Sequence, residues 1–138
     1  MNLLLDTNVL SEIRRPARAH PNVRRWFSES VGDEHFISAL TIYELEWGAQ
    51  NALRKGLPHA PLLRAWLDEQ VLPGFAQRIL PVDAPVARRC ANLEGGRTLP
   101  LADALIAATA LVHDLIIVTR NVRHFSPMGV SLFNPWTA

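Results

Sequence analysis

Apolar positions in this chain fall into short unbroken runs, separated by longer stretches in which they recur every three or four residues. Leu3-Leu4-Leu5 is the first run and reads as a buried strand, since three consecutive apolar side chains leave neither face to water. Helical spacing follows over residues 7–15, closed by Pro16, and again over 21–30. Residues 35–39 read as a second strand. Thr41, with Glu44 three residues on, has the form of a capping box opening a helix with Ile42, Leu45, Ala49 and Ala52 on one face. Gly56-Leu57-Pro58 ends that helix. Helical spacing returns over 61–71, residues 79–82 form a short strand candidate, and Asp83 caps a helix over 85–93. Gly95-Gly96 breaks the chain before an Ala-rich helix over 102–113. The run Leu115-Ile116-Ile117-Val118 is the clearest strand, apolar and mostly β-branched, as expected at the centre of a parallel sheet. Residues 130–133 make a final, edge-like strand. Strands and helices that alternate without repeats or a linker predict an α/β fold.

The length, 138 residues, fits a single domain with one core spanning 1–138. A net charge of +1 gives no whole-molecule field to attract polyanions, so any nucleic-acid surface must be local. Thirteen of the fourteen cations are Arg and only Lys55 is Lys, which suits bidentate phosphate contacts and equally suits a GC-rich coding sequence. Cys90 stands alone, which excludes an intrachain disulfide and makes a reducing cytoplasm the natural compartment. The opening residues lack the basic segment of a signal peptide. The most apolar later stretch, 104–112, is far shorter than the ~20 residues of a membrane span, so no membrane association is expected.

Acids at the ends of these elements carry the chemistry. In an open parallel sheet, ligands gather at the carboxyl ends of the strands. Asp6 ends the first strand, Glu44 lies in the first turn of the helix after the second, Asp103 opens the Ala-rich helix, and Thr119-Arg120-Asn121 follows the central run. If three carboxylates meet at one rim about 5 Å apart, each pair repels by roughly 3 kcal/mol at an effective dielectric near 20, and a divalent cation resolves the conflict. Oxygen ligands favour Mg²⁺ or Mn²⁺, and the lack of a Cys pair or a spaced His pair argues against zinc. Such a site suits phosphodiester hydrolysis. Each acid also has a plainer explanation: Asp6 as a helix cap, Glu44 as half of the capping box, Asp103 as a first-turn partner of the helix dipole. The apolar runs that flank Asp6 and Asp103 weigh against it, since burying an acid there is costly unless something offsets it. Asp83 lacks that context and reads as a cap, and the five His read as surface or structural residues.

Four motifs resemble those of PIN-domain ribonuclease toxins of the VapC and FitB kind. They are residues 4–12 (LLDTNVLSE), 38–45 (SALTIYEL) followed by Gly48, 101–110 (LADALIAATA), and 118–121 (VTRN) with Phe125. The ending LFNPW at 132–136 is similar to the FitB branch. The resemblance runs over nearly the whole chain. It implies a three-layer α/β/α sandwich with a short, mainly parallel sheet, and Mg²⁺-dependent endoribonuclease activity. It also implies a homodimer, and neutralisation by a cognate antitoxin that places a basic residue in the site. On this reading Asp6 and Asp103 hold the metal, Glu44 ligates it or orients the attacking water, Asn121 adds a neutral contact, and Thr7, Asn8 and Thr119 support the carboxylates. Asn121 is a departure, because the fourth position is often Asp in this family.

Two rival readings stand beside this one. A haloacid-dehalogenase-like phosphatase would want a second Asp where Asn8 stands. A catalytically silent partner-binding module predicts carboxylates scattered over the surface. Trp47, Trp66 and several Leu and Val exceed what one small core needs to bury, which predicts a symmetric dimer.

Overall fold

The computed structural model describes residues 1–138. Strand β1 (Asn2–Leu5) sends alternate side chains to opposite faces, as strand geometry requires, and thereby enters two cores. Leu3 and Leu5 pack with Val9, Leu10, Ile37, Leu45 and Val118, whereas Leu4 packs with Ile106, Ile117 and Phe125. At about 1.5–3 kcal/mol for each buried Leu, this one strand contributes to both halves of the molecule.

The other elements follow in chain order: α1 (Thr7–Ile13), α2 (Pro21–Glu29), β2 (Glu34–Ser38), α3 (Ala39–Arg54) and α4 (Ala60–Trp66). A wide helical turn, Leu67–Val71, continues α4 into α5 (Leu72–Gly74). Then come β3 (Ile79–Leu80), α6 (Ala84–Glu94), α7 (Leu101–His113), β4 (Ile116–Val118), α8 (Val122–Phe125) and β5 (Leu132–Phe133). The sheet order is β3-β2-β1-β4-β5, and every strand pair is parallel. Helices α1 and α3, with the Leu67–Val71 turn, cover one face; α7 and α8 cover the other. Val86 and Cys90 of α6 close over Ala104 and Ala108 of α7. The expected three-layer α/β/α sandwich is the architecture observed.

Three local expectations change. The middle strand is β1 and not the 115–118 run, which lies one place away as β4. Both strands are covered on both faces, so an apolar run does not distinguish the centre from its neighbour. The strand expected over 79–82 shortens to two residues at the sheet edge. Helix α3 begins at Ala39 and not at Thr41: the Ser38 hydroxyl accepts from the Leu40 N–H at 3.0 Å and is the cap. A cap contributes about 1 kcal/mol whichever hydroxyl supplies it. The end of β2 at Ser38 selects the earlier one, and Thr41 becomes a fully buried helix residue. Gly95, at φ +51°, takes the left-handed conformation that ends α6. No helix is long and apolar enough to cross a membrane.

Candidate active site

Asp6 is the first residue beyond β1. Its N–H still donates to the Val118 carbonyl at 3.0 Å, so the sheet fixes its backbone. Its carboxylate is 7 % exposed and bonded on both oxygens. Oδ1 accepts from the Thr7 N–H at 2.9 Å; Oδ2 accepts from the Thr119 hydroxyl at 2.8 Å and the Asn8 amide at 3.2 Å. The expected capping role is thus real but uses one oxygen. Thr119 is fixed in turn by its N–H to the Phe133 carbonyl (3.0 Å), and its hydroxyl accepts from the Asn121 N–H (2.9 Å). Asn8 Oδ1 accepts from the Arg120 N–H at 3.3 Å. The three supporting residues read from the sequence, Thr7, Asn8 and Thr119, therefore all meet at Asp6, along the carboxyl ends of β1 and β4.

Burial is the largest influence on this carboxyl group and raises its pKa above the ordinary 3.8. The bonds from Thr119, Thr7 and Asn8 pull it down without cancelling that rise, and the negative charge of Asp103 pushes it up further. A carboxylate whose charge is disfavoured both by burial and by a neighbouring acid is an arrangement a cation would relieve.

Asp103 stands in the first turn of α7, which has no side-chain cap, and its side chain is one-quarter exposed. His124 of α8 approaches it, with Nδ1 3.5 Å from Oδ2. Glu44 is exposed and lies in the second turn of α3, released from the capping role expected of it. Its Oε1 accepts instead from the Thr7 hydroxyl at 2.6 Å, and Thr41 Oγ1 lies 3.2 Å from the same hydroxyl. Thr7 thus touches Asp6 through its backbone and Glu44 through its side chain. Asn121 is an exposed cap residue of α8 whose side-chain oxygen makes no hydrogen bond.

The donor set is carboxylate, amide and hydroxyl oxygen, which fits a hard divalent cation. The side chains as they stand do not enclose one: no three among His, Cys, Asp and Glu are gathered closely enough to hold an ion between them. The structure brings Asp103 within electrostatic reach of Asp6 and links Glu44 to Asp6 through Thr7. A sequence reading that looked for carboxylates missed Thr41 and His124. Thr41 was assigned to a cap, and only the packing of α8 beside α7 brings His124 to Asp103.

A PIN domain family model matches residues 3–128. The chain is 38 % identical to the toxin FitB of Neisseria gonorrhoeae over 144 aligned residues, covering 97 % of this chain and 98 % of that protein. It is 34 % identical to the VapC ribonuclease Y4jK of Sinorhizobium fredii over 141 residues, covering 97 % of each. Among solved structures, FitAcB from Neisseria gonorrhoeae superposes with a TM-score of 0.86 at 38 % identity, over 99 % of both chains. A FitAB complex bound to a DNA fragment superposes at 0.82 and 34 % identity, over 97 % of this chain and 95 % of that one.

Proposed function

This chain belongs to the PIN-domain family, and on that footing we propose that it is a metal-dependent endoribonuclease acting as the toxin of a type II toxin–antitoxin pair. The observation that carries the reading is Asp6: a buried carboxylate at the carboxyl end of the central strand, held by three donors and facing the charge of Asp103. Capping α1 uses only one of its oxygens, and no cation pairs with this buried carboxylate.

Asp6 and Asp103 would hold Mg²⁺ or Mn²⁺, with Asn121 offering a neutral oxygen. Such an ion would supply activation of water and stabilisation of the charge that develops on the phosphate. The protein's own work is positional. Thr119, Asn8 and the Thr7 N–H lock the Asp6 rotamer, so no reorganisation is needed when substrate arrives. Glu44 uses Oε1 on the Thr7 hydroxyl and keeps Oε2 free to orient the attacking water. The substrate is RNA, as the ribonuclease relatives suggest.

The FitAcB and FitAB neighbours support an antitoxin partner. An Arg or Lys from that partner pairs with Asp6 and Asp103, competing with the cation for the same oxygens. A homodimer is assigned to the outer face of α3, where Tyr43 and Trp47, one turn apart, are 64 % and 54 % exposed. Trp66 does not join them; it packs against the core beneath the Arg14 guanidinium. The chain acts in the cytoplasm, where its RNA substrate is found.

The test is to purify Asp6→Asn and Asp103→Asn, verify by circular dichroism that both are folded, and follow RNA cleavage in Mg²⁺. Each substitution removes charge and little volume, so cleavage is expected to vanish. Parental rates in either variant would leave the inert partner-binding module as the better reading.

A further inference from the structure

Arg120 sits between Thr119, which clasps Asp6, and Asn121, and its backbone N–H is bonded to Asn8. Its side chain has a different destination. The guanidinium carbon lies 5.5 Å from the centre of the Trp136 ring, within the range of a cation–π contact. Arg120 is exposed, forms no ion pair, and donates no hydrogen bond through its guanidinium. Its N–H donors are therefore unpaired on an exposed side chain that rests against an aromatic ring.

The support beneath it is firm. Trp136 follows β5, the strand next to β4, and packs against the core that holds Leu5 and Val9. Its N–H donates to Asn134 Oδ1 at 2.9 Å, and its carbonyl accepts from the Asn22 side chain at 2.7 Å, which ties the segment to α2. Arg25 donates to the Ala138 carbonyl at 2.8 Å and anchors the segment a second time. A charge placed only for solubility needs no such mounting. A planar, unpaired guanidinium beside a carboxylate rim is suited to the one anionic group that the proposed substrate carries at every residue.

We propose that Arg120, held on the indole of Trp136, binds a backbone phosphate of the RNA next to the scissile bond, so that it is a substrate-positioning residue. The inference rests on the ribonuclease reading and adds to it a polarity: the strand crosses the rim from Asp6 toward the β4–β5 end of the sheet. The guanidinium fork orients the phosphate, and the contact with the indole favours a side-chain position directed toward Trp136.

Two measurements test this, both on the full-length protein. The first is steady-state cleavage of a fluorophore–quencher RNA oligonucleotide by the parent, Arg120→Ala, Arg120→Lys and Trp136→Leu. Arg120→Ala is expected to raise KM roughly tenfold and leave kcat within about twofold, as loss of one phosphate contact requires. Arg120→Lys should recover only part of that loss, because an ammonium cannot present the fork. Trp136→Leu should raise KM while leaving the charge in place. The second is fluorescence anisotropy of the same RNA in EDTA over a salt series. The slope of log affinity against log salt should fall by about 0.7 in Arg120→Ala, the value for one phosphate on a single strand. An unchanged KM and an unchanged slope would overturn the proposal, as would a loss confined to kcat. So would weakened antitoxin binding with RNA binding intact, which would assign Arg120 to the protein partner. A parent that cleaves no RNA, while Asp6→Asn binds it equally well, would instead overturn the ribonuclease reading beneath it.

Discussion

Thr119→Val isolates the bond that most directly governs the site. The substitution keeps the shape of a fully buried side chain and removes one hydroxyl. Two bonds are lost. The Asn121 N–H that donates to this hydroxyl belongs to an exposed residue at the rim, so its loss costs less than that of a fully buried bond. The 2.8 Å bond to Asp6 Oδ2 is buried and reaches a carboxylate, a class that contributes about 1.5–3 kcal/mol. We therefore expect a loss near 2 kcal/mol, or about 6 °C in Tm at roughly 3 °C per kcal/mol for a chain of this size. The pH dependence makes the test specific. The Thr119 bond lowers the Asp6 pKa, so the variant's folded pKa must stand higher than the parent's. The stability difference is then complete above both folded values, where Asp6 is ionised in either protein, and disappears as pH falls below them. Differential scanning fluorimetry in EDTA, with the buffer taken from mildly alkaline down through the carboxylate range, reads both quantities. A Tm within about 1 °C of the parent at the alkaline end, or a gap that widens on acidification, would refute the reasoning.

Three further outcomes follow from the same geometry. Because the folded pKa of Asp6 is raised, its contribution to metal-free stability is complete below 3.8 and is lost as pH rises through the folded value. Mg²⁺ should accordingly raise Tm more at neutral than at acidic pH, and Asp6→Asn should remove the difference; equal shifts at both pH values would place the ion elsewhere. Asn121→Asp should tighten both Mg²⁺ and the antitoxin's basic residue in calorimetric titration, and unchanged affinities would exclude Asn121 from the site. Arg64 bridges Glu46, at 2.7 and 2.8 Å, and Asp68, at 2.9 and 3.0 Å, but all three are a third or more exposed. Arg64→Ala should thus lower stability by less than about 1 kcal/mol. It should also release the Glu46 carboxyl from about 2 toward the ordinary carboxylate range, and an NMR titration that leaves Glu46 low would mean another group holds it there.

The sheet was legible because its signal is local: an apolar run followed at once by an acid marks both the end of β1 and the start of the site. Asp83 was legible through a different local signal, an Asp just ahead of a Pro-initiated helix, and its Oδ1 does accept from the Val86 N–H. Glu44 was found, but its role was not. The Thr41–Glu44 spacing satisfies a local rule, and nothing nearby in sequence says that Ser38 has already supplied the cap or that the Thr7 hydroxyl waits 37 residues upstream. His124 and the stacking of Arg120 on Trp136 depend on α8 and the β5 ending meeting the rim in space, which no spacing encodes. The residue types were visible in the sequence, whereas the pairing of side chains across strands was not.

The position of β1 at the centre of the sheet also bears on when this protein becomes capable of acting. Asp6 is made well before the hydroxyl that clasps it, which lies 113 residues later in the chain. Neither β4 nor the Thr119 bond can form until that late segment is free, a delay on the order of ten seconds at ordinary rates of synthesis. Until then β1 has only β2 beside it, with β3 beyond, and half of its hydrophobic surface lacks a cover. A nascent chain of this protein therefore carries its acids without the means to aim them. On the proposed function, a cell making this chain beside its own messenger RNA is shielded, through the length of translation, by the order in which the strands are made.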